Sequence, residues 1–349
     1  MKGGHDLGRR EREVLATLVR QYIATGLPVG SKAVADRLSE PLSSATIRSL
    51  MVELEAAGLL HQPHVSAGRI PTDKAYRFYV DCVAETKSLG TATEEYIDQS
   101  LSSRADSPEE LLVRISRILS EVSHNVGLVL GLPLEDELLE HIKFVKLPEG
   151  RVLAVIVSKP DLIQNKVVRL DEEFTQEELD RTADYLNTEF RGWSLRTIRV
   201  EIFKRIEDMK TAVARLLANV ATLFMWGTPA AEGPGPLFVD GTAKMLDQPE
   251  FMDARRLRDL LAAFEEKAKL ARILSACLES SPQGVRVFIG GENPDAEMRH
   301  CTVIAAPYRY RSRVVGALGV VGPTRLEYER AITTVEYVAH LTSRLLSAN

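Results

Sequence analysis

Residues 43–72 read SSATIRSLMVELEAAGLLHQPHVSAGRIPT, a short patterned helix that runs straight into a polar loop holding two histidines, an arginine and a glycine before a proline. Ile47, Leu50, Met51 and Leu54 recur at three- and four-residue spacing, the inner stripe of an amphipathic helix. Ser43 or Ser44 can cap its start, and Gly58 ends it. At about 100° per residue, Ala45, Arg48, Ser49 and Val52 fall opposite that stripe, with Thr46 and Glu53 on its flank. Small residues around one arginine let a helix sit deep in a DNA major groove and still offer hydrogen bonds to base edges. The chain then turns through Ser66-Ala67-Gly68, where Gly68 can take a positive φ, and returns to Ile70 before Pro71. That pattern predicts a two-stranded hairpin, a wing, with His64 and Arg69 at its tip, where an arginine suits the negative potential of a narrow minor groove.

Upstream, Val14, Leu15, Leu18, Val19, Tyr22 and Ile23 form one apolar stripe, and Gly26 stops that helix in the position a C-cap favours. Ser31 can cap a second short helix, SKAVADRL. Helix, short helix, polar turn, helix is the order of a helix-turn-helix, whose last helix enters the major groove. His61 and His64 have no third close ligand in the loop, so a metal site is the weaker reading.

Charge agrees with a nucleic-acid-binding head. The chain of 349 residues has a net charge of -5, yet residues 1–80 hold 11 Lys+Arg against 8 Asp+Glu. A mildly basic head on an acidic body needs only a local patch to meet phosphates. There is no run of about 18 apolar residues, and the N-terminus MKGGHDLGRREREV lacks the apolar core of a signal peptide, which predicts a cytoplasmic protein with no membrane partner. Cys82, Cys277 and Cys301 lie far apart and are expected to be reduced thiols.

After the wing, Tyr76, Phe78, Tyr79 and Val80 crowd one helix at a spacing that suits packing on the first helix or on a partner subunit. A polar segment from Glu85 reads as a link, partly helical in EEYIDQSL. Pro108 opens a strongly patterned helix, ELLVRISRILSEVSHNVG. β-like runs follow at HIKFVKL, RVLAVIVS and NKVVRL, then helices at TQEELDRTADYLNTEF and EIFKRIEDMKTAVARLLANVATLFMW, the latter with a stripe from Ile206 to Phe224. After the break GTPAAEGPGP comes one long helix, RRLRDLLAAFEEKAKLARILSACLE, then strands GVRVFIGGEN, HCTVIAAPYRY and RVVGALGVVGP, and a last helix with Thr324 and Glu327 as its capping box. Strands bracketed by helices predict an α+β body with an insertion.

No P-loop, HExxH or GxSxG motif is present, so neither an enzyme nor a cofactor is expected. GALGVVG at 316–322 lacks the nucleotide-loop spacing, and close strand packing explains its glycines better. Glu292, Asp295, Glu297, Arg299 and His300 could line a ligand pocket, although a polar surface turn is the plainer reading.

SSATIRSLMVELEAAGLL followed by HVSAGRIPTDKAYRFYVD resembles the signature of the HrcA family, bacterial heat-inducible transcription repressors, and the resemblance continues through VDGTAKMLDQPEF and GALGVVGPTRLEYERAITTVEYVAHL. Ala75 stands where the family usually has glycine; inside a helix it should help the fold. The resemblance implies an α+β multidomain fold: a winged helix-turn-helix at 1–88, a linker at 89–107, a GAF-like domain in two parts, 108–205 and 256–349, and an inserted dimerisation region at 206–255. It further implies a homodimer on an inverted-repeat operator, CIRCE, upstream of chaperonin and DnaK-type operons, and a GroEL-type chaperonin that keeps the repressor active. In this reading Thr46, Arg48 and Ser49 read bases, Ser31, Lys32 and Ser44 hold phosphates, and His64, Ser66 and Arg69 act from the wing. The alternative is a regulator gated by a small ligand in the GAF-like body.

Overall fold

The computed structural model describes residues 7–82, 88–102, 108–131, 138–159, 162–169, 174–194, 197–198, 201–202, 236–246, 248–251, 254–280, 284–310 and 313–348. The chain divides into two compact units, one built from 1–131 and 236–349, the other from 132–235.

The first unit begins with the helix-turn-helix. Helices α1 (Arg9–Thr25), α2 (Ser31–Ala35) and α3 (Ser44–Ala56) bury Val14, Leu15, Leu18, Val19, Val34, Ile47, Met51 and Leu54 against one another. Ser43 caps α3, its hydroxyl accepting the Thr46 N–H at 3.1 Å. Ser31 heads α2 without capping it, because Gly30 holds the N-cap position. The wing follows: β1 (Leu60–His61) pairs antiparallel with β2 (Ile70–Pro71), and Val29 adds a bridge to Arg69. Gly68 is not among the positive-φ residues, contrary to expectation. Its lack of a side chain matters because a Cβ there would lie 2.4 Å from the Val29 backbone.

Helix α4 (Asp73–Cys82) carries the crowded aromatics, and these pack inward on the same unit. Tyr76 and Tyr79 meet the ring of Tyr328 with centroids 5.7 and 6.5 Å apart. Head and body thereby share one apolar core, running from Leu15 and Val19 through Tyr76 and Tyr79 to Tyr328, Ala331 and Val335. Polar ties flank that seam. Arg77 pairs with Glu292 through Nε at 2.9 Å and through Nη2, which also donates to the Val287 carbonyl at 2.5 Å. Asp73 accepts the Gly291 N–H at 3.0 Å, Tyr79 donates to Glu329, and Arg325 donates to the Ile23 carbonyl at 2.9 Å.

The expected linker contains a packed helix, α5 (Thr91–Ser102): Ile97 and Leu101 are buried in the shared core, and Tyr337 donates to Asp98 at 2.9 Å. The body is a five-stranded antiparallel sheet in the order β7-β3-β10-β9-β8, built from Leu237–Asp240, Val126–Gly131, Arg313–Pro323, Cys301–Tyr310 and Arg286–Ile289. Side-chain alternation sorts the two faces. Val129, Ile304, Leu318 and Val320 face α6 (Pro108–Ser123) and the last helix, Tyr328–Ala348; Leu128, Val303, Ala305 and Val321 join Leu270, Leu274 and Cys277 of the helix Lys267–Ser280. Gly319 lets the strands close up, since a Cβ there would sit 2.2 Å from the Ile304 carbonyl oxygen. The helix expected to be continuous from Arg255 is two, Ala254–Glu265 and Lys267–Ser280, meeting at Glu266. The last helix starts at Tyr328, and Thr324 offers its carbonyl to the Tyr328 hydroxyl at 2.7 Å rather than forming a capping box.

The second unit holds a meander, β4 (Leu138–Leu147), β5 (Arg151–Lys159) and β6 (Leu162–Arg169), with α7 (Gln176–Phe190) across one face. Leu139, Ile142, Phe144, Val152, Ala154 and Ile156 pack on Leu179, Ala183, Leu186 and Phe190. Asn187 of α7 satisfies the edge of β4, accepting the Ile142 N–H at 2.7 Å and donating to its carbonyl at 2.9 Å. These strands and α7, expected in the first part of the GAF-like domain (108–205), belong instead to the inserted unit, which spans 132–235 rather than 206–255. The expected helix with its Ile206 to Phe224 stripe lies outside the described residues.

Candidate DNA interface

Helix α3 turns its buried stripe to α1 and leaves Ser44, Ala45, Thr46, Arg48, Ser49 and Glu53 exposed. Each has a local reason for its position. The Ser43 cap fixes the first turn, and the Ser43 and Thr46 hydroxyls lie 2.9 Å apart, so Thr46 is held at the helix start with lone pairs to spare. Ser49 leans back on the Ala45 carbonyl at 3.4 Å. Among the described residues none pairs with Arg48, whose guanidinium is free for a bidentate contact to guanine O6 and N7. Val52, 51 % exposed, continues the same face one turn on. Its helical position follows from the pattern, although no motif marks it for a role; an apolar side chain at this place suits a thymine methyl.

Lys32 is exposed on α2 and Ser31 half-buried beside it. The wing tip is His64, Val65 and Ser66, all exposed, with Val65 at 99 %. Arg69 was expected at that tip and is not there. It lies on the returning leg, its backbone paired in both directions with Val29 at 2.9 and 2.8 Å and its side chain 14 % exposed. Its Nε sits 2.9 Å from Glu55 Oε2 of α3, a charge pairing in which the N–H is not well aligned for a hydrogen bond. Neither Glu55 nor Gln62 is marked by the sequence, because a pair formed across a hairpin leaves no local periodicity.

The rival polar cluster is tied into a turn. Glu292 is held by Arg77 and by the Ile289 N–H, Glu297 by Lys269 at 2.9 Å, Asp295 by the Glu297 N–H at 3.0 Å, and Arg299 by the Ala296 carbonyl at 2.7 Å. Asn293, buried beneath them, donates to the carbonyls of Gly290, Met298 and Cys301. Among the described residues no group of three His, Cys, Asp or Glu is placed to hold a metal, and no helix is long and apolar enough to cross a membrane. Burial pushes the Cys277 and Cys301 thiols up to about 12, which keeps them protonated and unreactive.

A capped helix with a bare outer face, set beside a wing, defines a winged helix-turn-helix DNA-binding protein. Residues 6–81 match the profile described as winged helix-turn-helix transcription repressor, HrcA DNA-binding, and residues 109–332 match HrcA protein C terminal domain. The chain belongs to the HrcA family. It is 39 % identical over 341 residues to the heat-inducible transcription repressor HrcA of Geobacter sulfurreducens, covering 98 % of each chain. With the repressor of the same name from Syntrophobacter fumaroxidans it shares 35 % identity over 345 residues, again 98 % of each. Its fold is similar to that in a 2.2 Å crystal structure of a hypothetical protein, with TM-score 0.67 and 21 % identity over 98 % of this chain and 99 % of that one.

Proposed function

We propose that the protein is a homodimeric repressor of chaperonin and DnaK-type operons that binds the CIRCE inverted repeat and releases it on heating. The observation that carries this reading is the exposed face of α3, with its arginine unpaired among the described residues, beside the wing. Thr46, Arg48 and Ser49 read bases in the major groove, Ser31, Lys32 and Ser44 hold phosphates, and His64 and Ser66 act from the wing. Arg69, engaged with Glu55, serves the wing from within. A two-fold protein matches a two-fold operator, and joining two half-sites supplies affinity one head lacks. In this reading the protein works in the cytoplasm, where its operators are.

Heat release has a physical basis in the continuous core between head and body: loosening the body loosens the support of the DNA-binding form. A GroEL-type chaperonin, by refolding the protein, keeps that form populated until heat diverts it to other clients. The test is fluorescence anisotropy of the full chain on an inverted-repeat duplex and on a scrambled one, across a salt series. Tight binding to the repeat at one dimer per duplex is the expected result. Equal, steeply salt-dependent binding to both duplexes would leave only nonspecific phosphate attraction and end the repressor reading.

A further inference from the structure

The wing is braced from the recognition helix by one carboxylate. Glu55, near the end of α3, faces Arg69 through Oε2 at 2.9 Å and accepts the backbone N–H of Gln62 through Oε1 at 3.1 Å. Arg69 and Gln62 stand on the two legs of the hairpin. From Gln62 the brace extends to the tip, because its side-chain amide donates to the carbonyls of Val65 and Ala67, both at 2.9 Å. The Ala67 N–H closes the turn on the His64 carbonyl at 2.9 Å. The tip is therefore tied to α3 by a chain of contacts that ends on one side chain, alongside the backbone pairing of Arg69 with Val29.

We infer that Glu55 is a positioning residue for operator recognition: it sets where the wing tip meets the minor groove relative to the bases read by α3, and Arg69 is its partner in that task rather than a DNA contact. The inference rests on the proposed reading that the wing touches DNA. It makes a prediction opposite to that of charge alone. Removing a carboxylate from the DNA-binding side strengthens attraction to any duplex; removing a brace weakens binding to the operator only.

The experiment compares the full-length wild type with Glu55→Gln, Glu55→Ala, Arg69→Ala and the Glu55→Ala/Arg69→Ala double variant, on operator and scrambled duplexes. Thermal unfolding of each serves as the check on folding. Glu55→Ala should bind the operator about tenfold more weakly, a loss of about 1.4 kcal/mol, with scrambled DNA bound as well as before or better. Glu55→Gln, which keeps an acceptor for Gln62 but loses the charge facing Arg69, should lose less. The double variant should match Glu55→Ala, since both residues belong to one brace. Hydroxyl-radical protection under the wing should fade in the variants while guanine N7 protection under α3 persists. Should Glu55→Ala fail to fold, Glu55→Gln and Arg69→Ala carry the same comparison. Operator binding that rises in Glu55→Ala while falling in Arg69→Ala would make Arg69 a DNA contact released from a restraint and overturn the inference. Unchanged operator affinity and footprints in all variants would overturn it too, with the repressor reading intact. A wild type that protects no minor groove under the wing would instead fail the reading on which the inference rests.

Discussion

The head has two working faces on one small scaffold, and they are built in opposite ways. On the side proposed to meet DNA, α3 presents short polar side chains and an unpaired arginine, all exposed, behind the Ser43 cap. Toward the body, α4 presents buried tyrosines and an arginine locked to Glu292. In the proposed reading the first face gains its energy only when a duplex arrives, so changes there should leave folding alone. The second face is part of the fold, so changes there should be felt throughout the first unit.

The sharpest way to break this contrast is Tyr328→Ala. The ring is buried between Tyr76 and Tyr79, and its loss should destabilise the protein by about 3–5 kcal/mol. Denaturant unfolding followed by two probes, one in the head and one in the sheet, should give coincident transitions; a head that melts by itself would disprove the shared core. Arg48→Ala tests the other face. It should cost about 1–3 kcal/mol of operator binding and relax sequence preference, with stability unchanged within about 0.5 kcal/mol. An equal loss on operator and random DNA would mean that Arg48 only attracts phosphate. Arg77→Ala removes a pair that is partly exposed, so its effect on stability should be about 1 kcal/mol and should shrink in high salt. Chemical denaturation at two salt concentrations measures it. Lys32→Ala should lower the slope of log binding constant against log salt by about 1, with little change in sequence preference.

The last test is one of pH, and it acts only in alkali. Burial, aided by the hydrogen bond to Glu329, raises the Tyr79 hydroxyl to about 12, and burial also raises Tyr76 and Tyr328 above the ordinary tyrosine value. A raised tyrosine favours the neutral form in the folded state. The stability it contributes is fully present below about 10, its unfolded value, and is lost as pH climbs through the folded value. Tyrosinate absorbance of these seam residues should therefore appear together with unfolding, after that of the exposed tyrosines. Early, independent titration would show the seam to be open to water.

The exposed face of α3 was legible in the sequence because each of its signals is local. The stripe from Ile47 to Leu54 repeats at helical spacing, Ser43 stands where a cap belongs, and the outer residues follow by rotation. The wing was legible as a turn but not in its interior: the proximity of Gly68 to Val29 and the pairing of Arg69 with Glu55 depend on segments that periodicity does not relate. The tyrosines of α4 announced packing on the first helix or on a partner, and Tyr79 does meet Arg20 of α1; that they also pack on Tyr328 was hidden, since it lies at the far end of the chain. The insertion was misplaced for a similar reason. The strand Val126–Gly131 hides at the end of a helical pattern, and the apolar runs of β4 and β5 look locally like those of the five-stranded sheet. Only pairing shows that the chain leaves one sheet after Gly131 and rejoins it from Pro236.

The continuous core from Leu15 to Val335 also works in the reverse direction. Whatever binds the folded head and not the unfolded chain stabilises head and body together by mass action. Under the proposed reading the operator is such a ligand, so a promoter-bound molecule is better protected against thermal unfolding than one adrift in solution. The first molecules lost on warming are then the unbound reserve, and promoters empty when their occupants dissociate into a pool that no longer replaces them. The temperature at which a promoter opens would thus depend on its own affinity, giving each operon a threshold written in its DNA.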